Sequence, residues 1–290
     1  MRVPVRDYLP LFKIRICSLI TFSAIVGLIS ASATGASVTS TGLISLAIVT
    51  MMASAGVSAF NHYFDRDIDR VMGRTKSRPI PSGNLAGATR ILVASVALFA
   101  ASILLSLKML NYMVGLHLFL GGFVYAVVYT VWLKRRSWMN IIIGGLAGSF
   151  AVLAGGASAS PDLCLLPVLL AVVMFFWTPS HFWSFAVLHK EEYETAGIPM
   201  LPNVVGESRT VKYLLMNTVV LVISSLLPVW FGFLGYMYGA SAVILGAYFI
   251  SRNIEFLRDI SKENARKNFH ASMVYLGGLF LAVIIDVCVF

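Results

Sequence analysis

Charge is what this 290-residue chain has least of: Asp, Glu, Lys and Arg make up 12% of it, against 58% hydrophobic residues. With a mean hydropathy of +0.84, the composition excludes a water-soluble domain and makes the bilayer the expected solvent. Cysteine is scarce too. Cys17, Cys164 and Cys288 stand far apart without a CxxC pair, which excludes a disulfide framework and a thiolate metal site and leaves them as core residues. Acidic residues number 13 against 22 basic, a formal net charge of +9. No aromatic-interleaved basic patch accompanies that surplus, so no nucleic-acid partner is expected. A cleavable-signal pattern is also missing. Arg2 and Arg6 precede a first apolar run without a small-residue cleavage site, and that run should be retained.

What the chain does have is a series of apolar runs long enough to cross roughly 30 Å of hydrocarbon. Nine are read, near 16–36, 43–60, 90–110, 112–133, 139–158, 163–187, 211–234, 236–251 and 270–290. With the N-terminus on the cytoplasmic side, every one of the 22 Lys and Arg residues except Lys108 falls in a cytoplasmic segment. One span missed or invented would move all later loops across the membrane and destroy that bias. The expected architecture is an all-α integral membrane protein, a bundle of nine transmembrane helices with a cytoplasmic N-terminus and a C-terminus on the outer side. Residues 1–290 are read as a single domain. The positive surplus is first a topological signal, helped by anionic headgroups.

Charges crowd together in residues 61–83. On a helix, Asn61, Asp65 and Asp69 fall within about 80° of arc, so two carboxylates and an amide share one face while Asp67 points elsewhere. Oxygen ligands so spaced suit Mg²⁺, which takes one or two carboxylates plus substrate phosphates. Downstream, Arg74, Lys76 and Arg78 precede the rigid Pro79-Ile80-Pro81-Ser82-Gly83 segment, and forked guanidinium groups bind phosphate bidentately. A metal–diphosphate site is the sharper reading. The plainer one is a solvated loop whose arginines only fix topology.

A second concentration of polar residues follows the sixth run. There His181 lies behind the helix-perturbing Pro179 and between aromatics, followed by His189, Lys190, Glu191, Glu192 and Tyr193. Elsewhere, the small residues at 53–59 and the glycines from Gly144 to Gly156 read as close-packing faces. Phe119, Phe123, Tyr125, Tyr129 and Trp132 offer an aromatic wall for an isoprenoid chain or a carbocation. Lys13 and Arg15 read as a positive-inside anchor, and Lys134-Arg135-Arg136 as a stop signal needing nothing more. Residues 252–269 read as a solvated, partly helical connector, and Asp286 as a carboxylate reaching the outer interface. His62 and His117 give no signal of their own.

These motifs carry a resemblance. Asn61-x3-Asp65-x3-Asp69 resembles the first aspartate-rich motif of the UbiA superfamily of intramembrane prenyltransferases. Asp65 to Arg70, with Arg74-Thr75-Lys76-x-Arg78-Pro79, is similar to the form found in the protohaem IX farnesyltransferases, the haem O synthases. Thr178-Pro179-x-His181-Phe182-Trp183 and Gly197-Ile198-Pro199-Met200-Leu201-Pro202 resemble that group's second motif. This chain departs from it at Phe12-Lys13-Ile14-Arg15, usually Thr-Lys-Pro-Arg, and at Phe150-Ala151-Val152, usually Phe-Pro-Pro.

The resemblance implies a membrane-embedded pocket and farnesyl transfer from farnesyl diphosphate to a vinyl group of haem B, with addition of water to give haem O. It implies Mg²⁺ as cofactor, held by Asn61, Asp65 and Asp69, with Arg74 and Arg78 on the leaving group. Lys76, His181, His189, Lys190, Glu191, Glu192 and Tyr193 would meet the substrates. It further implies, as partners, haem A synthase or terminal-oxidase assembly factors, while the compact chain without a transit-like extension points to a bacterial plasma membrane, a trimmed organellar sequence being the alternative. A relative acting on a quinone precursor would carry a second Asp-x3-Asp motif, and here those positions are His189 and Tyr193. A transporter would place charges at midplane on several helices.

Overall fold

The computed structural model of the chain describes residues 9–83 and 87–289; Arg2 and Arg6 of the expected leading segment lie outside them. Among the described residues every regular element is helical. A short turn, Leu9–Phe12, leads into α1 (Ile14–Ser32), followed by α2 (Ser40–Phe64), the short α3 (Arg66–Val71) and α4 (Ala88–Met109). The next two are α5 (Tyr112–Leu133) and α6 (Asn140–Ala159). The second half is α7 (Leu165–Leu188), short α8 (Lys190–Thr195) and α9 (Leu201–Val205), then α10 (Glu207–Trp230), α11 (Tyr236–Arg258) and α12 (Lys262–Val289).

Eight of these segments are long and apolar enough to cross a membrane. The exception among the long helices is α11, whose 23 residues end in a charged turn. Several expected boundaries move. The last helix starts at Lys262 and α11 runs to Arg258, so the supposed connector at 252–269 is helix except for residues 259–261. Its mixed charges lie at the end of α11 and the start of α12, held by Arg252–Glu255 and Lys267–Glu263 pairs along each helix. Likewise α2 does not stop at residue 60 but carries Asn61 within it.

Large apolar side chains face outward, Leu104 and Ile244 being 67% and 68% exposed, while Ser95, Ser102, Ser106, Thr210 and Ser225 are buried. Lipid is as apolar as leucine, so the helices gain little by hiding leucine from it; close approach and interhelical hydrogen bonds hold them instead. The glycines of α6 do this as expected. A Cβ on Gly155 would fall on the Ala24 carbonyl, and one on Gly27 on the Val152 carbonyl, so α1 and α6 touch backbone to backbone. Val152 is itself fully buried in that contact. Gly56 likewise lets α2 meet α4, since a Cβ there would lie 2.9 Å from the Ser95 carbonyl.

A buried chain of polar side chains ties the second half. Asn217 donates to the Phe176 carbonyl at 2.6 Å and to Ser180 Oγ at 2.7 Å, close to where Pro179 interrupts the ladder of α7. Thr218 lies 2.8 Å from Ser180 Oγ and donates to Asn253 Oδ1. Asn253 donates to Asn268 Oδ1, and Asn268 to Ser184 Oγ. Four helices, α7, α10, α11 and α12, are thereby linked in one network. Asp286 ties helices in a related way. It is buried and accepts from the Gly235 and Tyr238 N–H groups, capping the N-terminus of α11.

Replacing Asn253 with Leu removes the junction of this network and leaves the Asn268 amide and Thr218 hydroxyl buried without it. The expected loss is about 1–2 kcal/mol of stability, measured as a lower unfolding midpoint in detergent, with helix content unchanged at low temperature.

Candidate active site

The expected helical face survives, with a bend. α2 ends at Phe64 and α3 begins at Arg66, with Asp65 between them at φ −88°, ψ 1°. The backbone ladder nevertheless continues, Asp65 N–H to the Asn61 carbonyl at 2.9 Å and Asp69 N–H to the Asp65 carbonyl at 2.7 Å. Asn61, Asp65 and Asp69 therefore stay on the inner side, and the two carboxylates are 1% and 2% exposed.

Buried carboxylates need partners. Lys134 donates to Asp65 Oδ2 at 2.5 Å, and Asn61 Nδ2 donates to the same oxygen at 2.8 Å. Lys13 donates to Asn61 Oδ1 at 2.8 Å, and the Asn61 amide also reaches Thr130 Oγ1 at 3.1 Å. Arg78 pairs with Asp69 Oδ2 at 2.6 Å. Thr75, buried, donates to the Asp69 carbonyl and folds the loop so that Arg78 can return to it. Two carboxylates thus sit among three basic side chains, Lys13, Lys134 and Arg78.

Two of these cations correct the sequence reading. Lys134 is more than a stop signal, and Lys13 more than an anchor. Both arrive from other spans, Lys13 from the start of α1 and Lys134 from the end of α5. The second half of α5, Val124–Leu133, is π-helical, with the Lys134 N–H bonded to the Tyr129 carbonyl five residues back. π-Turns often mark functional positions, and this one directs Thr130 and Lys134 to the Asn61–Asp65 edge. Of the expected aromatic wall, Phe119, Phe123 and Trp132 face outward. Tyr125 and Tyr129 pack together inside, with centroids 5.6 Å apart.

Asp65 Oδ1 is buried without a hydrogen-bond partner. An unused carboxylate oxygen beside a second carboxylate is a fit for a hard cation such as Mg²⁺. Among the described residues no group of three or more His, Cys, Asp or Glu forms a complete metal cage, so further oxygens would have to come from a ligand.

Residues 20–283 match the pattern of the UbiA prenyltransferase family. The chain belongs to that family. It is similar to protoheme IX farnesyltransferase 1 of Paramagnetospirillum magneticum, 49% identical over 281 residues that cover 97% of this chain and 98% of that protein. Among solved structures it resembles a digeranylgeranylglyceryl phosphate synthase with a TM-score of 0.82 at 21% identity, covering 98% of both chains. It also resembles a UbiA homolog from Archaeoglobus fulgidus bound to DMAPP and Mg²⁺, with a TM-score of 0.64 at 16% identity, covering 94% of this chain and 99% of that one. At those identities the likeness speaks for the UbiA fold.

The second polar region of this UbiA chain joins the first at one edge. The Arg74 N–H donates to Glu192 Oε2 at 3.3 Å, and its guanidinium lies 5.1 Å above the Phe185 ring. Glu192 also faces His189 Nδ1 at 3.3 Å. Partial burial and the nearby Arg74 charge hold the His189 imidazole below its ordinary range, against the pull of Glu192. Tyr193 is buried, and burial raises its phenol. Lys190 pairs with Glu207 at 3.2 Å and exposed Glu191 with Lys262 at 3.0 Å, so both point away from the carboxylates toward α10 and α12. Lys76 is exposed. His181 is buried within α7, held against α12.

His62, which gave no sequence signal, is 1% exposed with neither ring nitrogen bonded. Its only cue was its place beside Asn61. Asp67 points away as expected, gripped by both Arg135 nitrogens at 2.7 Å, which draws its carboxyl down to about 2.

Lys134→Met should lower kcat/KM by about 10²-fold, the typical cost of one positioned charge donor, with the protein still folded by thermal melt. Asp67→Asn should leave turnover intact and cost under about 1 kcal/mol of stability, since the pair is exposed. A depressed carboxyl stabilises above its unfolded pKa and loses that contribution as pH falls through the folded one. The difference between wild type and Asp67→Asn should therefore be full near pH 5, shrink as pH falls toward 2 and vanish below it.

Proposed function

We propose that this chain transfers a farnesyl group from farnesyl diphosphate to a vinyl group of haem B, with addition of water, giving haem O. The observation that carries it is the buried Asp65–Asp69 pair within Lys13, Lys134 and Arg78, in a chain alike over almost its whole length to a protoheme IX farnesyltransferase. The N-terminus is read as cytoplasmic, supported by the one-sided distribution of Lys and Arg, and the membrane as a bacterial plasma membrane, supported by the likeness to a Paramagnetospirillum magneticum protein.

Asp65 and Asp69 are suited to hold Mg²⁺, which when bound supplies Lewis-acid polarisation of the diphosphate oxygens. Lys13, Lys134 and Arg78 then have an anion to meet, and Arg74 stands at the same edge. As the bond from farnesyl C1 to the diphosphate oxygen breaks, the oxygen keeps the electron pair, and these cations stabilise the growing charge by position rather than by proton transfer. The allylic cation is taken up by the vinyl π pair, forming the new carbon–carbon bond. The positive charge moves to the carbon beside the porphyrin ring, where water adds and loses a proton. Tyr125 and Tyr129 offer electron-rich faces beside the carboxylates, and apolar helix surfaces keep water away until the cation has been captured.

The test is haem extraction and mass analysis after expression of the chain in membranes supplied with haem B and farnesyl diphosphate. Wild type should yield haem O, and Asp65→Ala none. A folded wild type that makes no haem O but consumes the diphosphate would assign another acceptor; haem O from Asp65→Ala would remove Asp65 from the chemistry.

A further inference from the structure

On the reading that haem is the acceptor, we infer that Nε2 of His181 is the axial ligand of the haem iron. The porphyrin then lies against α7 and α12, with its propionates turned toward His189 and Arg266.

The hydrogen bonds decide the tautomer. His181 Nδ1 lies 2.7 Å from Ser272 Oγ. The single hydroxyl proton of Ser272 is already given to the Phe269 carbonyl at 2.6 Å. Ser272 Oγ therefore accepts, the proton sits on Nδ1, and the neutral ring keeps a bare lone pair on Nε2. Among the described residues no protein group hydrogen-bonds that nitrogen. Metal-binding histidines are held in this manner, one ring nitrogen donating to a fixed acceptor while the other is left for the metal.

The ring plane is fixed as well. Trp177 and Phe269 stack on it, each with centroids 4.3 Å away and planes within 19° and 28°, and Phe182 meets it at 88°. Trp177 is itself anchored, its Nε1 donating to the Ser272 carbonyl at 2.7 Å. One serine thus orients both the imidazole and a ring that flanks it. A histidine that only packed helices together would need one bond, not a set tautomer and a locked plane.

The surroundings suit a flat, apolar macrocycle with carboxylates on one edge. His181, Phe185 and His189 follow at i, i+4 and i+8 along α7, and Phe269 of α12 packs on Phe185 as on His181. His189 packs against Phe185 with centroids 4.4 Å apart and planes inclined at 50°, and Arg74 stands over the same ring. Arg266, one turn before Phe269, acts electrostatically on His189. The aromatic column therefore ends in cations. His181 lies about 10 Å inside the end of α7 by helix rise, a depth on the scale of half a porphyrin. His189 is less suited to the iron because its Nδ1 faces Glu192 on a partly exposed ring.

The experiment is a titration of haem B into the purified full chain in lipid nanodiscs, read by absorption and resonance Raman spectroscopy. Wild type should give a histidine-ligated iron. His181→Ala should lose that signature and bind haem at least 10-fold more weakly, with added imidazole restoring the spectrum. His189→Ala should bind more weakly but keep the iron signature, and Ser272→Ala should alter it. An unchanged iron spectrum in His181→Ala, or a loss that imidazole does not restore, overturns the assignment. Wild-type protein that neither binds haem nor forms haem O removes the acceptor reading itself.

Discussion

Everything at the working end of this protein depends on keeping two carboxylates ionised at the edge of a hydrocarbon medium. An isolated charge there costs several kcal/mol, so Asp65 and Asp69 exist only because other helices bring them cations. Lys134 closes α5 onto α2, Lys13 closes α1 onto Asn61, and Arg78 folds the loop after α3 back onto Asp69. The same contacts that make burial tolerable ring the cluster with basic side chains. Stability and the capacity to receive a polyanion are one arrangement viewed from two sides.

The remainder of the bundle follows the same logic with neutral groups. Helices that cannot gain by hiding leucine from lipid gain by backbone contact at Gly27, Gly56 and Gly155 and by the Ser180–Thr218–Asn253–Asn268 network. The first half of the chain is held mainly by close approach and the second by shared hydrogen bonds. The aromatic column of α7 stands on the second kind of support, where a fixed ring orientation needs bonds and not merely proximity.

The helical architecture and the Asn61–Asp65–Asp69 face were legible in the sequence, the first because spans announce themselves by length and hydropathy, the second because helical periodicity persists through the bend at Asp65. The cations were not. Lys13 is 48 residues from Asn61 and Lys134 is 69 from Asp65, and a lysine at the end of a span already has a sufficient explanation in topology. A working lysine hides among the orienting ones. The role of Asp286 was hidden for a similar reason: nothing local reveals that its partners are N–H groups 48 and 51 residues earlier. The extent of helix in 252–269 was only partly legible because charge in a sequence reads as looseness, whereas ion pairs three and four residues apart support two helix ends there.

The π-helical half of α5 has a consequence for how such a chain can change. Its wider turn places the Lys134 N–H on a carbonyl five residues back, so the inward direction of that lysine is set by backbone register and not by the spacing an α-helix would impose. A single-residue insertion or deletion between Val124 and Leu133 would leave the span as apolar as before and long enough to cross the bilayer. It would act as a rotation of the helix end, carrying the lysine from the carboxylates toward the lipid.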